Sequence, residues 1–116
     1  MPGVRERLDK IFKDFMEGSP KGLVLTLYSM LRLRARGEEA SLDAISREGK
    51  KVARSTRGVI DWGVDEDEYE TRVSDLVREL ESMGIIERSD GAYRVREDLV
   101  DELYRRVGIL FSLRCC

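Results

Sequence analysis

Residues 71–95 read TRVSDLVRELESMGIIERSDGAYRV, and this stretch carries two structural periods in succession. Val73, Leu76, Val77, Leu80 and Met83 recur at the spacing of three to four residues that lines up side chains on one face of an α-helix. Gly84 follows directly, the residue type that stops a helix most readily. Next come Ile85-Ile86-Glu87-Arg88, the turn Ser89-Asp90-Gly91, and Ala92-Tyr93-Arg94-Val95, two short runs around a glycine-containing turn. The stretch predicts a helix over 66–83 and a two-stranded hairpin over 85–95.

Upstream, residues 61–70 hold six carboxylates and no cation. The 66–83 helix begins inside this run, where negative charge near exposed N–H groups is favourable. Before it, Ser41 offers an N-cap to a helix that begins at Leu42 and continues through Ala44, Ile45, Val52 and Ala53, with Gly49 as a break or a close-packing point. Arg47, Lys50, Lys51, Arg54 and Arg57 make the later part of that helix the most basic surface in the chain. Ser19 and Pro20 predict the start of an earlier helix running to about Arg36, apolar nearly all round and so the central core helix. Its Arg32, Arg34 and Arg36 suit the carbonyl end of the helix dipole. At the two ends, Val4, Leu8, Ile11, Phe12 and Phe15 form one helical stripe, and Leu99, Val100, Leu103, Tyr104, Val107, Leu110 and Phe111 form another. The expected organisation is an N-terminal amphipathic helix over 1–18, a domain over 19–96 and a C-terminal helix over 97–116. The expected fold class is mainly α with a small β-hairpin.

The chain has 116 residues, 21 Lys+Arg against 23 Asp+Glu, and a formal net charge of -2. That length suits one domain with its own core. A hydrophobic share of 41% excludes a disordered chain, and no apolar run approaches the roughly 20 residues that span a bilayer. With charges from Arg5 onward and no apolar leader, a cytoplasmic protein without membrane contact is expected. There is no His, Asn or Gln, and 16 of the 21 basic residues are Arg, a composition that points to a hyperthermophilic, archaeal source. Without His, neither a Ser/His/Asp nor a Cys/His nucleophilic site can form, and no enzyme activity or cofactor is expected. Cys115 and Cys116 alone cannot make a four-thiolate zinc site; they read as tail thiols that at most cross-link two chains. Asp61, Asp65, Asp67 and Glu70 do not have the spacing of a calcium loop, so no metal is expected.

Three helices followed by a hairpin is the order of a winged helix-turn-helix, and residues 71–95 resemble that family's recognition helix and wing. The matching pattern is V-x-x-L-V-x-x-L-E-x-x-G-I-I, then a charged turn and a Y-x-V return strand. Residues 21–49, KGLVLTLYSMLRLRARGEEASLDAISREG, are similar to the family's first helix and the start of its second. The resemblance covers about 20–96 and departs between Gly49 and Tyr69, where some twenty residues replace a tight turn. Either the second helix is extended or an insertion lies beside the fourth. The resemblance implies a winged helix with extra terminal helices, and a transcriptional regulator that reads duplex DNA with helix 66–83 and wing 85–95. On the helical wheel Thr71, Asp75 and Arg78 face outward, flanked by Arg72 and Ser74. Arg88, Arg94 and Arg96 around the hairpin, with Lys50 and Lys51, are the expected phosphate contacts.

Charge points the other way. Residues 18–37 sum to +4 and 38–60 to +1, but 61–70 sum to -6 directly before the reading helix, which costs affinity for phosphates unless those carboxylates pair with the 47–57 cations. The alternative expectation is therefore a winged helix used as a protein-interaction module in a transcription, replication or membrane-remodelling assembly, with 61–70 as a contact surface for a basic partner. Trp62 is expected to be a packing anchor, since one aromatic cannot stack successive bases. A homodimer is expected through Leu8, Phe12, Phe15, Leu99, Leu103, Val107 and Leu110, because a minimal winged helix does not need these stripes for its own core.

Overall fold

The computed structural model describes residues 3–18 and 21–114, with side chains to Gly108. Helix α1 spans Val4–Met16, α2 Leu23–Ala35, α3 Leu42–Ser55 and α4 Glu66–Ser82. Strands β1 (Ile86–Ser89) and β2 (Ala92–Val95) follow, then a 3₁₀ turn at Glu97–Leu99 that leads into α5 (Val100–Arg114). The fold is mainly helical with one antiparallel pair of strands.

Helix α2 is the centre because its sequence offers no polar face. Leu23, Val24, Leu25, Leu27, Met30, Leu31 and Leu33 are all buried, and Thr26 and Ser29 among them bond back to the carbonyls of Gly22 and Leu25. It starts later than the Ser19-Pro20 signal suggests. Gly22 adopts φ 84, a left-handed conformation that cannot join a right-handed helix, and its N–H donates to the Trp62 carbonyl at 2.9 Å. Ser19 and Pro20 lie outside the described residues.

Helix α3 starts where Ser41 caps it, the Oγ accepting from the Ala44 N–H at 3.1 Å. It runs past Gly49 without a break, because that glycine is the point at which the buried Tyr69 ring of α4 crosses α3. The departure from a tight turn is therefore a longer helix plus a loop over 56–65. Trp62 anchors that loop: it is buried, its indole N–H donates to Thr56 Oγ1 at 2.7 Å, and its ring lies 6.0 Å from Tyr28 and 5.6 Å from Phe15.

At the end of α4, the Ile85 N–H returns to the Leu80 carbonyl and the Gly84 N–H to that of Glu81, so the chain leaves the helix with Ile85 fully buried. The hairpin then pairs Ile86 with Val95 and Ser89 with Ala92, leaving a two-residue loop in which Asp90 (φ 49) and Gly91 (φ 80) are both left-handed. That turn matches the twist of the strands. Ala40, in the α2–α3 link, adds a single bridge to Tyr93, whose N–H donates to the Ala40 carbonyl at 2.9 Å.

Helices α1 and α5 close the core from outside. Leu8, Phe12, Leu99, Leu103 and Val107, expected at a dimer interface, are buried inside this one chain, and Phe15 packs on Trp62. Arg106 reinforces the seam by pairing with Asp9 of α1 and lying 5.6 Å over the Phe12 ring. An apolar side chain desolvated within its own domain has little area left to offer a second copy, so the described part of these stripes serves this chain's own core. The side chains of Leu110 and Phe111, and all of Cys115 and Cys116, lie outside the described residues. Among the described residues no helix is long and apolar enough to cross a membrane.

Candidate nucleic-acid interface

The orientation of α4 is set at its first turn. Asp65 Oδ1 accepts from the Glu68 N–H at 2.7 Å while the Glu68 side chain reaches back to the Asp65 N–H, a reciprocal cap. From that start, Tyr69, Val73, Leu76, Val77 and Leu80 fall on the inner face. Thr71, Arg72, Ser74, Asp75 and Arg78 are consequently exposed along the outer side, as expected from the helical wheel. Asp75 and Arg78 form an ion pair at 3.7 Å, and Arg72 pairs with Glu68 at 3.8 Å.

The acidic run does not form one solvated block. Glu70 accepts from Lys50 Nζ at 2.9 Å, and Glu66 is held between Arg54 (2.9 Å) and Arg57 (2.6 Å) of the α3 end. The Arg54 hydrogen bond holds the Glu66 carboxyl below its ordinary range, and the Glu70 bond raises the Lys50 ammonium above its own. Asp61 closes a turn by accepting from the Gly63 N–H at 2.9 Å, and Asp65 caps α4. Asp67 stays exposed. The pairing between 61–70 and 47–57 is therefore formed for Glu66 and Glu70.

The expected phosphate contacts separate into unlike groups. Arg88 and Arg94 occupy adjacent cross-strand positions, Arg88 opposite Tyr93 and Arg94 opposite Glu87, so they project from opposite faces of the hairpin. Arg88 lies 5.3 Å over the Tyr93 ring and 3.7 Å from Glu81 of α4, while Arg94 bonds Glu87 at 3.3 Å. Arg96 holds the base of the hairpin: it bonds the Gly84 carbonyl at 3.3 Å and Asp98 at 2.8 Å. Lys50 and Lys51 diverge around α3. Lys50 turns to α4, whereas Lys51 is exposed and has no ion pair or side-chain hydrogen bond among the described residues.

A second cluster was not anticipated. Glu48 of α3 is only 4% exposed, and its carboxylate is clasped by Arg36 at 2.6 Å and Arg32 at 2.7 Å from α2. These bonds, Arg36 first, outweigh the burial and hold its pKa down at about 2. The arginines read from sequence as complements of the α2 dipole thus also fasten α3. The helical period does place Glu48 on the apolar face, three residues after Ile45 and four before Val52, but nothing local in the sequence names Arg32 and Arg36 as its partners.

Among the described residues no group of three or more His, Cys, Asp or Glu is placed to hold a metal ion. Set beside known proteins, the chain matches no family model, no curated protein and no solved structure.

Proposed function

We propose that this chain is a winged helix-turn-helix protein that binds duplex DNA as a transcriptional regulator, with α4 in the major groove and the 86–95 hairpin as the wing. The order α2, α3, α4, hairpin supports this, as does the bridge from Ala40, which ties the hairpin to the helical layer. One observation carries it. Lys50, Arg54 and Arg57 draw Glu70 and Glu66 toward α3, so the strip left facing out on α4 includes Thr71, Ser74 and Arg78, side chains short or forked enough to meet base edges. A homodimer built on α1 and α5 forms no part of this reading.

Anisotropy of a labelled mixed-sequence duplex, titrated at about 50 and 200 mM salt, tests it. Expected is binding that weakens steeply over that range, as counterion release requires. Arg78→Glu should weaken it at least tenfold with an unchanged melting temperature, because Arg78 holds only an exposed partner. Absence of binding at the lower salt overturns the DNA reading. The second reading, a winged helix that docks protein, is favoured by one specific observation: Arg72, Arg78, Arg88, Arg94 and Arg96 each already face a carboxylate. A surface of alternating paired charge suits a partner carrying both signs.

A further inference from the structure

The arginines of α4 and the hairpin are poor sources of phosphate affinity, because each must first release a carboxylate. The described cations without any such partner are Arg7, Lys13, Lys21, Arg47, Lys51 and Arg105, and Arg47 and Lys51 among them share a cleft. Arg47 and Lys51 stand four residues apart on the outer side of α3 and line, with Arg36 and Ser41, a half-open cleft of about 370 Å³ between the end of α2 and α3. Lys13, by contrast, lies in a surface depression among Glu6, Asp9, Asp14 and Glu17.

The cleft has three carboxylates in its wall. Glu48 is buried and neutralised by Arg32 and Arg36, and Glu38 is tied to Arg36 at 2.8 Å. Glu39 is exposed and unpaired. Behind the opening, then, two charges cancel against guanidinium groups, and Arg47 and Lys51 supply cations whose only loss on binding an anion is hydration and side-chain freedom.

We propose that this cleft holds a phosphate group of the DNA backbone, gripped by Arg47 and Lys51 at its mouth, and that it supplies phosphate affinity beyond what the α4 arginines, placed at the bases, provide. The proposal rests on the DNA reading above, and it separates the two tasks: α3 neutralises phosphate while the α4 strip meets bases. Glu39 opposes the phosphate and trims the affinity.

The test is the salt dependence of duplex anisotropy for wild type, Arg47→Ala/Lys51→Ala, and Arg7→Ala/Lys13→Ala, which removes the same net charge elsewhere. Two lost phosphate contacts should reduce the slope of log K against log salt by about 2 and weaken binding at 50 mM salt at least tenfold. The Arg7/Lys13 pair should leave the slope unchanged, and Glu39→Gln should tighten binding a few-fold. Because neither Arg47 nor Lys51 holds a partner, melting temperatures should match wild type, which certifies folding of the variants. A wild-type slope in Arg47→Ala/Lys51→Ala overturns the cleft but leaves DNA binding intact. Equal losses in both double variants overturn it as well, by showing a response to net charge alone. No duplex binding by wild type removes the parent reading and the cleft together. Inorganic phosphate that protects the cleft residues while duplex does not compete also overturns it, by assigning the site to a free anion.

Discussion

Gly49 and Tyr69 show how one missing atom sets the distance between two helices. A Cβ on Gly49 would stand 2.1 Å from Tyr69 Cε2, far inside contact distance, so α3 and α4 can approach only because the side chain is absent. Tyr69 is fully buried; desolvation pushes its hydroxyl pKa up, and the hydroxyl satisfies itself 2.9 Å from Thr26 Oγ1. Gly49→Ala should therefore destabilise the protein by about 1–3 kcal/mol despite its better helix propensity. Denaturant unfolding reads this directly, and in a Tyr69→Ala background the same substitution should cost little, since the ring that blocks it is gone. A full cost persisting in that background would place the strain elsewhere.

Between elements, the Glu48 clasp and the Lys50, Arg54 and Arg57 pairs work differently although both are ionic. The Glu48 carboxylate is buried with two guanidinium groups on it, so its ionised form belongs to the folded state; the pairs across α3 and α4 reach the surface, where water and salt screen them. A carboxyl held at about 2 when folded against an ordinary 4.5 adds stability that is complete above pH 4.5 and disappears as the pH falls toward 2. Wild type should lose melting temperature across that window, and Glu48→Gln, less stable at pH 7, should lose less of it there. Parallel curves for the two proteins between pH 5 and 2 would detach Glu48 from the acid response. The same clasp ties the wall of the proposed phosphate cleft to α2, which keeps Arg36 from competing with Arg47 and Lys51 for bound anion.

For the molecule as a whole, α1 and α5 contribute their described apolar side chains to the chain's own core. Leu8 and Leu103 are fully buried, and the Arg5–Glu102 and Arg106–Asp9 pairs cross the seam between the two helices. Leu103→Ala should cost about 2–5 kcal/mol through lost transfer energy and the cavity left behind. Its unfolding midpoint should be independent of protein concentration over a hundredfold range, as mass action demands when no association is linked to folding at that site. A midpoint that rises with concentration in wild type and flattens in the variant would return Leu103 to an interface between copies.

Periodicity and turn chemistry were enough to read α1, α3, α4, the hairpin and α5 from the chain, because a helical stripe, the Ser41 cap and the Asp90-Gly91 turn are local: their energies depend on residues within a few positions of one another. The outward positions of Thr71, Ser74 and Arg78 follow from the same local period. What needed three dimensions was every feature joining distant segments. Gly22 ends the approach to α2 because of a bond from the Trp62 loop, forty residues on. Arg88 and Arg94 look alike in the sequence, yet hairpin register sends them to opposite faces. The terminal stripes are equally apolar whatever covers them, and only the tertiary packing shows Leu8, Phe12, Leu99, Leu103 and Val107 buried within this chain. Charge is the extreme case, since Coulomb attraction carries no sequence address: Lys50 finds Glu70 and Arg57 finds Glu66, while Arg47 and Lys51, drawn from the same basic run, form no ion pair among the described residues.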